Sequence, residues 1–442
     1  NFFNFVPDVY EKYYNTESSS FNLTSLNYTP GDLPHVPITI MEKNNGNLFF
    51  CNSGVLPGSA AILELNLIDD QLIKYDDEVI DGWDGIYQLG TNSHYMLVNQ
   101  IEKDDFGNMW VVNPFCEKQG HLLAVQSSND DMWSHVLVPD DKSYLPQTIA
   151  LETIGAQQRI WLGFSYGLTN ESNLYSEGGL KVLNSNNILS SNPDTSWISI
   201  SNPNILPGND SNASVWSIVF DRMGWLWVMN EKGIRAYEYV YDQDQNSMTL
   251  EPQGKYISGD PINFLSSIAF VKGNRIKVDE QNNKWIITHD GIWVIKENMT
   301  FWPSEEGINV ENSSLLSSKV YDVAFDDKKG LAYFSTDKGI SILEIPFSAN
   351  PSSRENIYIS PNPFIIPDDH KVRIGNVYAG SVLKIMTING RVMQALHLDD
   401  NETYVEWDGR DRSGNYVGSA VYLVSSDSPK GNKVSKISII RK

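Results

Sequence analysis

Residues 215–239 read VWSIVFDRMGWLWVMNEKGIRAYEY, and this stretch decides the fold. Val215, Ser217 and Val219 alternate with bulkier residues before Asp221-Arg-Met-Gly224 makes a turn. Leu226-Trp-Val-Met229 is a second strand, Glu231-Lys-Gly233 a second turn, and residues 234–239 a third strand. β-Branched and aromatic enrichment bounded by Asp and Gly turn signals is the pattern of a strand meander.

The pattern recurs. Earlier copies lie in residues 36–65, with strand Asn47-Leu-Phe-Phe-Cys51, and in residues 96–126, where Asp104-Asp-Phe-Gly107 precedes Asn108-Met-Trp-Val-Val112. A degraded third copy holds Gln158-Arg-Ile-Trp-Leu-Gly163 and Gly178-Gly-Leu-Lys-Val-Leu183. A fifth runs through Asp279, Lys284-Trp-Ile-Ile-Thr288 and Ile295, and a sixth from Asp326 to Ile342. Turn aspartates 105, 221, 279 and 326 are separated by 116 (two units of 58), 58 and 47 residues. A period of roughly 50–60 residues with several strands per unit is the signature of a β-propeller. One blade cannot bury both faces of its sheet, so blades must stack around an axis. The sequence predicts a six- or seven-bladed propeller over residues 1–345, a seventh blade drawing on residues 1–35.

Composition narrows the function. The 442 residues carry 33 basic and 55 acidic side chains, a formal charge of −22. Nucleic acid and anionic lipid surfaces both demand a cationic face, which argues against either as a partner. No apolar run reaches the roughly 18–20 residues that span a bilayer. The opening NFFNF has neither Met nor a basic-then-apolar leader, so either a removed signal peptide or a longer protein is expected. Two cysteines, Cys51 and Cys116, exclude a disulfide scaffold and fall in neighbouring blades, where buried thiols or one bridge would fit.

After Ile345 the repeat stops. Residues 346–356 form a Pro/Ser linker, and about seven short strands follow within residues 357–442. They lie at 357–359, 372–374, 381–387, 391–398, 403–407, 420–425 and 433–440. Asn389-Gly390 reads as a two-residue hairpin turn. Antiparallel strands at this density predict a small Ig-like β-sandwich.

Five elements of this tail appear in order: Ser360-Pro361-Asn362-Pro363-Phe364, Leu383 to Val392 around Asn389-Gly390, Trp407-Asp408-Gly409-Arg-Asp411-Arg-Ser-Gly414, Ala420-Val-Tyr422-Leu-Val424, and Lys436-Ile-Ser-Ile-Ile440. Together they resemble the C-terminal sorting domain of the type 9 secretion system of Bacteroidetes-like bacteria, over about a fifth of the chain. Gly418-Ser-Ala420 departs slightly from the usual Ser-Gly. The blades resemble the two-component-regulator propeller repeat, close to D-x-x-G-x-x-W followed by G-[IL]-x-x-[YF]. A regulator-type propeller joined directly to such a tail is the arrangement of PorZ-like proteins, which carry two propellers; on that resemblance this chain holds the second propeller and the tail. The resemblance implies a cell-surface, secreted, outer-membrane-associated component reached through the periplasm. Its implied partners are the sortase and outer-membrane shuttle and a glycan or lipopolysaccharide.

A catalytic constellation is not evident. The seven histidines show no HExxH, and no G-x-S-x-G elbow is present. His289-Asp290 lies in a turn that can face a propeller's central opening, although a solvated turn histidine is the plainer expectation. Asp242-Gln-Asp-Gln-Asn246 places oxygens at calcium-loop positions 1, 3 and 5 but lacks the position-6 glycine and position-12 glutamate, so a polar hairpin tip is expected. Asp408 and Asp411 are expected to bond nearby backbone N–H groups. Trp110, Trp161, Trp227 and Trp285 occupy matching positions, as inter-blade core rather than a sugar platform. Residues 165–179 and 201–213 are the candidate ligand loops. The expectation is a non-enzymatic PorZ-like secretion component. The alternative is a secreted cargo binding module whose tail is only a sorting signal, and a third reading is a propeller enzyme.

Overall fold

The computed structural model describes residues 2–5, 37–42, 47–55, 62–66, 71–75, 96–112, 122–136, 138, 145–154, 157–168, 175–186, 194–254, 261–266, 268–326, 330–345, 357–366, 371–378, 380–398, 404–428 and 431–442. Its first five meanders are blades of four antiparallel strands. Blade 1 is Pro37–Glu42, Leu48–Val55, Ile62–Asn66 and Gln71–Tyr75. Blade 2 is Gln100–Lys103, Met109–Val112, Leu123–Gln126 and Trp133–Val136. Blade 3 is Pro146–Ile154, Gln157–Phe164, Gly179–Asn186 and Asp194–Ile200. Blade 4 is Val215–Phe220, Leu226–Asn230, Gly233–Asp242 and Ser247–Gln253, and blade 5 is Arg275–Val278, Lys284–Thr288, Gly291–Ile295 and Phe301–Trp302.

Blade 6 closes the ring. Val320–Asp326, Leu331–Thr336 and Gly339–Glu344 supply three strands, and Phe2–Phe5 pairs antiparallel with the third as its outer strand. The first strands of blades 1 to 5 lie side by side in sequence order; that of blade 6 packs on blade 5 and on the first strand of blade 1. Among the described residues the propeller is therefore six-bladed. The strand at residues 2–5 completes the last blade instead of starting a seventh, because the third strand of blade 6 would otherwise leave its edge unpaired.

Repetition of the tryptophan follows from this stacking. Trp110, Trp161, Trp227 and Trp285 are all fully buried. Each belongs to the apolar cluster between its own blade and the next, Trp227 for example among Met229, Ile276 and Ile286. None is available as a stacking platform. Inner strands are also stitched by side chains. Gln100 bonds both the N–H and the C=O of Ile149, Thr148 Oγ1 accepts from Ile218 N at 3.2 Å, and Ser217 Oγ accepts from Ile276 N at 3.0 Å. These bonds satisfy backbone groups that the inner edge of each blade would otherwise leave bare.

Beyond Ile345 the strands form two further sheets. One contains Tyr358–Ser360, Val372–Gly375 and Val405–Trp407; the other Phe364–Ile366, Val382–Thr387, Val392–His397, Ala420–Ser428 and Gly431–Arg441. Their inner faces share a core that includes Phe364, Leu383, Trp407, Tyr422 and Ile439. Eight strands are present among the described residues rather than seven. The added one, Phe364–Ile366, is too short to show periodicity and pairs parallel with the last strand. Arg373 of this sandwich meets Glu344 of blade 6 at 3.6 Å.

Candidate functional site

Each blade's inner strand is aimed by the turn that follows it. Asp221 Oδ1 accepts from the N–H groups of Met223 and Trp225, and its Oδ2 accepts from the indole of Trp227. Asp279 does the same for Gln281, Asn283 and Trp285. In blade 2 the residue doing this is Asp104, bonded to Phe106 N, Asn108 N and Trp110 Nε1. The turn aspartate expected there was Asp105. Asp105 is exposed, and only Asp104 stands six residues before the tryptophan, so the register moves by one. Lys284 fixes two turns together. Its ammonium donates to Asn282 O at 2.9 Å, stands 3.8 Å from Asp221 Oδ2 and lies 5.3 Å from the Trp227 ring. Burial lowers its pKa against the pull of Asp221.

So positioned, the inner strands of blades 2 to 5 and Tyr321 of blade 6 line an axial cavity of about 760 Å³. This is in the size range of small-molecule sites. Five basic side chains line it, Lys103, Arg222, Lys272, Arg275 and Lys277, against three acidic ones, Glu102, Asp105 and Asp221. Arg222 is in turn paired with Glu280 at 2.6 Å. Glu102 receives Gln100 Nε2 at 2.6 Å. Burial holds its carboxyl above the usual range, opposed by Lys277, Gln100 and Arg275. Arg275 and Lys277 share Asp322 of blade 6, at 3.4 and 3.8 Å.

His289 lines this cavity, edge-on to Tyr321 at 6.0 Å, so the position facing the opening is the one it takes. Burial first, then Lys319, lowers its pKa. Gly273 takes φ +94° in the turn beside it, and a Cβ there would stand in ordinary contact, 3.5 Å from His289 Nε2. The sequence argument missed the other cavity groups. Their signal was the alternation of charge along inner strands, Arg275 and Lys277 before Asp279, and Glu102 before Asp104.

The tail residues converge on one corner. Asn362 is exposed, yet its side chain grips the last strand: Nδ2 donates to Lys436 O and Oδ1 accepts from Ser438 N at 3.0 Å. Pro361 and Pro363 flank it in the open, and Phe364 turns inward to lie 6.3 Å from the Trp407 ring. Trp407 Nε1 donates to Arg410 O at 2.8 Å. Gly409, at φ +81°, could not be another residue: a Cβ would meet Ile366 Cδ1 at 2.5 Å and Phe364 at 2.9 Å. Asp408 accepts from Arg410 N, and Asp411 from Ser413 N and Asn415 N, with Gly414 N closing on Asp411 O. Tyr422 donates to Gly418 O at 3.0 Å, and the Lys436 side chain is exposed.

Asn389 and Gly390 lie apart from this corner, at a hairpin tip. The turn is wider than two residues: Gly390 N bonds Thr387 O, Thr387 N bonds Arg391 O, and a register shift follows Ile385. Only Gly390 adopts positive φ, where a two-residue type I′ turn requires it at both positions.

The remaining candidates are structural. Asp242 Oδ1 accepts from Asp244 N and Gln245 N, capping the outer hairpin of blade 4, and Asn246 bonds Tyr241 and Trp197 O. Among the described residues no group of three His, Cys, Asp or Glu is arranged for a metal ion. The stretch at 201–213, expected as a ligand loop, is tied to blade 4 through Ile205 O, which accepts from Arg235 and Tyr237, and Pro207 O, which accepts from Asn230. Residues 169–174 of the other loop, the Cys116 position and the Cys51 side chain lie outside the described residues.

The class this geometry defines is an all-β propeller with an axial cavity lined by charged and polar side chains, followed by a two-sheet sandwich. No protein-family model and no curated protein matches the chain. Among solved structures it is similar to PorZ of Porphyromonas gingivalis, described as an essential bacterial surface component of the type-IX secretion system. Identity is 19% over 92% of this chain and 52% of that one, at a TM-score of 0.49. It is also similar to the extracellular domain of a hybrid two component system from B. thetaiotaomicron, at 14% identity, 94% and 57% coverage and a TM-score of 0.39. A gluconolactonase from Xanthomonas campestris matches at 10% identity, 70% and 94% coverage and a TM-score of 0.37. The chain thus spans about half the length of PorZ and of the regulator domain. No helix among the described residues is long and apolar enough to cross a membrane.

Proposed function

We propose that this chain is a non-enzymatic cell-surface component of the type 9 secretion system, PorZ-like, acting at the outer membrane after export through the periplasm. The propeller recognises a glycan, a lipopolysaccharide or a partner protein, and residues 357–442 are the domain read by the sortase and outer-membrane shuttle. The observation that carries the reading is the tail corner. Asn362 grips the last strand at Lys436 and Ser438, while Phe364 and Ile366 leave room only for glycine at Gly409. Four of the five motifs thereby act as one packed unit, with the Asn389-Gly390 hairpin standing apart.

The Arg373–Glu344 ion pair favours a secretion component over cargo with a disposable address. A tail that serves only as an address needs no seat on its passenger, and this one has a contact on blade 6. The test is the intact mass of the protein taken from the surface of its own cells. Retention of residues 357–442 is expected, together with a general secretion defect when the gene is deleted. A mass ending in residues 346–356, with normal secretion of other proteins in the deletion strain, would leave the cargo module as the reading.

A further inference from the structure

Two long-range contacts meet at the end of one strand in blade 6. Phe2–Phe5 pairs with Gly339–Glu344 in the register Phe5 opposite Ile340 to Phe2 opposite Leu343, so the pairing stops one residue short of Glu344. Glu344 is the residue that meets Arg373 of the sandwich. On its inner side Glu344 pairs with Leu331, and the next residue, Ile345, is fully buried and donates to Gly330 O at 3.0 Å. Blade 6 itself thus fixes the inner side of this strand end, and Phe2–Phe5 covers its outer side. In blades 1 to 5 the outer strand follows the third directly in sequence, as Ser247–Gln253 follows Gly233–Asp242. Among the described blades only blade 6 takes its outer strand from elsewhere in the chain. A four-residue edge strand with no hairpin to its partner belongs to the low-stability end of a fold and opens locally at small cost. Once it leaves, Gly339–Glu344 becomes the edge, and the terminal residue of an edge strand is the first to fray.

We propose that the outer edge of blade 6 is a strand-binding surface whose occupant, Phe2–Phe5 of the same chain, latches the tail. With the strand in place, Glu344 is held where Arg373 meets it and the sandwich is seated. With the strand out, Glu344 frays and the seat is lost. An ion pair at a partly exposed site is weak by itself, so it forms only where ordered backbone already supplies its geometry. Closure of the ring and seating of the tail are then one linked equilibrium, and linkage is reciprocal. A partner that grips the seated tail also tightens the strand, and one that draws Phe2–Phe5 away releases the tail. The inference goes beyond the secretion reading and does not need it. Retention of residues 357–442 at the cell surface holds or fails whether or not strand and seat are linked, so the two can fail separately.

The test is a distance measurement by double electron–electron resonance in the full chain carrying Cys51→Ser and Cys116→Ser. Spin labels go on Met223→Cys in the propeller and Val421→Cys in the sandwich, both exposed positions. One narrow distance peak is expected. Deleting residues 1–5 should abolish that peak, and Asn4→Pro, which breaks the strand pairing without shortening the chain, should do the same. Adding the peptide NFFNFV, residues 1–6, to the shortened chain should restore the peak. A chain that had merely misfolded would not recover on adding six residues, so the rescue separates a latch from a folding defect. A narrow peak that survives the deletion, or one that the peptide fails to restore, would overturn the proposal. A dimeric mass for the full chain in light scattering, lost on deleting residues 1–5, would assign the strand to a second copy and overturn a latch within one chain.

Discussion

The indole N–H of Trp227 donates to Asp221 Oδ2 at 3.0 Å, and both residues are buried. One carboxylate thereby shapes the turn, fixes the core aromatic six residues later and sits near the enclosed ammonium of Lys284. Removing it leaves a buried indole N–H, a backbone N–H and a buried cation uncompensated together.

Asp221→Ala should therefore cost about 3–5 kcal/mol in urea unfolding, the range for breaking a buried ion pair from one side. Asp104→Ala, which has no lysine to strand, should cost about 2–3 kcal/mol through its unmet donors. Asp105→Ala, one residue away but exposed, should stay within about 0.5 kcal/mol. Equal losses at 104 and 105 would contradict the register assigned to the blade 2 turn.

Blade 3 gives an internal control for the same bond. Trp161 is fully buried like Trp227, but its Nε1 has no partner, since no aspartate stands six residues before it. Trp161→Phe and Trp227→Phe remove similar volume. The second should cost about 1–2 kcal/mol more, because it alone leaves a buried carboxylate oxygen without its donor. Thermal unfolding of the two variants side by side measures that difference.

The fold was legible because the Asp–Trp turn repeats. A carboxylate that must meet an indole six residues on, across a tight turn with Gly107, Gly224 or Asn282 at positive φ, leaves the same mark in blades 2, 4 and 5. Blade 3 was faint for the complementary reason: without the aspartate, only Trp161 and Gly163 remained to read. Closure by Phe2–Phe5 was hidden, because a four-residue strand whose partner lies more than three hundred residues later has no local signature. The axial cavity was half legible. His289 stood out by its turn, whereas Asn99, Gln147 and Arg275 come together at the axis only when blades 2, 3 and 5 close the ring, which a sequence does not contain.

Glu102 should make stability depend on pH in an uncommon direction. Its carboxyl faces Gln100 on its own strand, Arg275 and Lys277 of blade 5, and Asp322 of blade 6, and burial raises its pKa in the folded chain. The folded state therefore keeps the proton at a pH where the unfolded chain has lost it. Stability from this group is full below the ordinary glutamate value, about 4.3, and is lost as pH rises through the folded value. Glu102→Gln should accordingly raise the urea midpoint at neutral pH, with the gain shrinking as pH falls toward 4. A lower midpoint for the variant at neutral pH would mean that the attraction of Arg275 and Lys277 outweighs the cost of burial.

The seat of the tail on the propeller can be weighed through Arg373 and Glu344. They meet at 3.6 Å with side chains 16% and 24% exposed, so screening is partial and the pair should be worth about 0.5–1 kcal/mol. Arg373 also lies 3.6 Å from the centre of the Tyr404 ring within the sandwich, so Arg373→Ala loses that contact as well and should cost more than Glu344→Ala. Only a double-mutant cycle isolates the contact between the two parts. Read by calorimetry, a coupling of about 0.5–1 kcal/mol, with the sandwich and propeller transitions drawing apart in either single variant, is expected. A coupling of zero would mean that this ion pair contributes nothing to seating the sandwich, and it would remove the observation that favours a secretion component over cargo with a disposable tail.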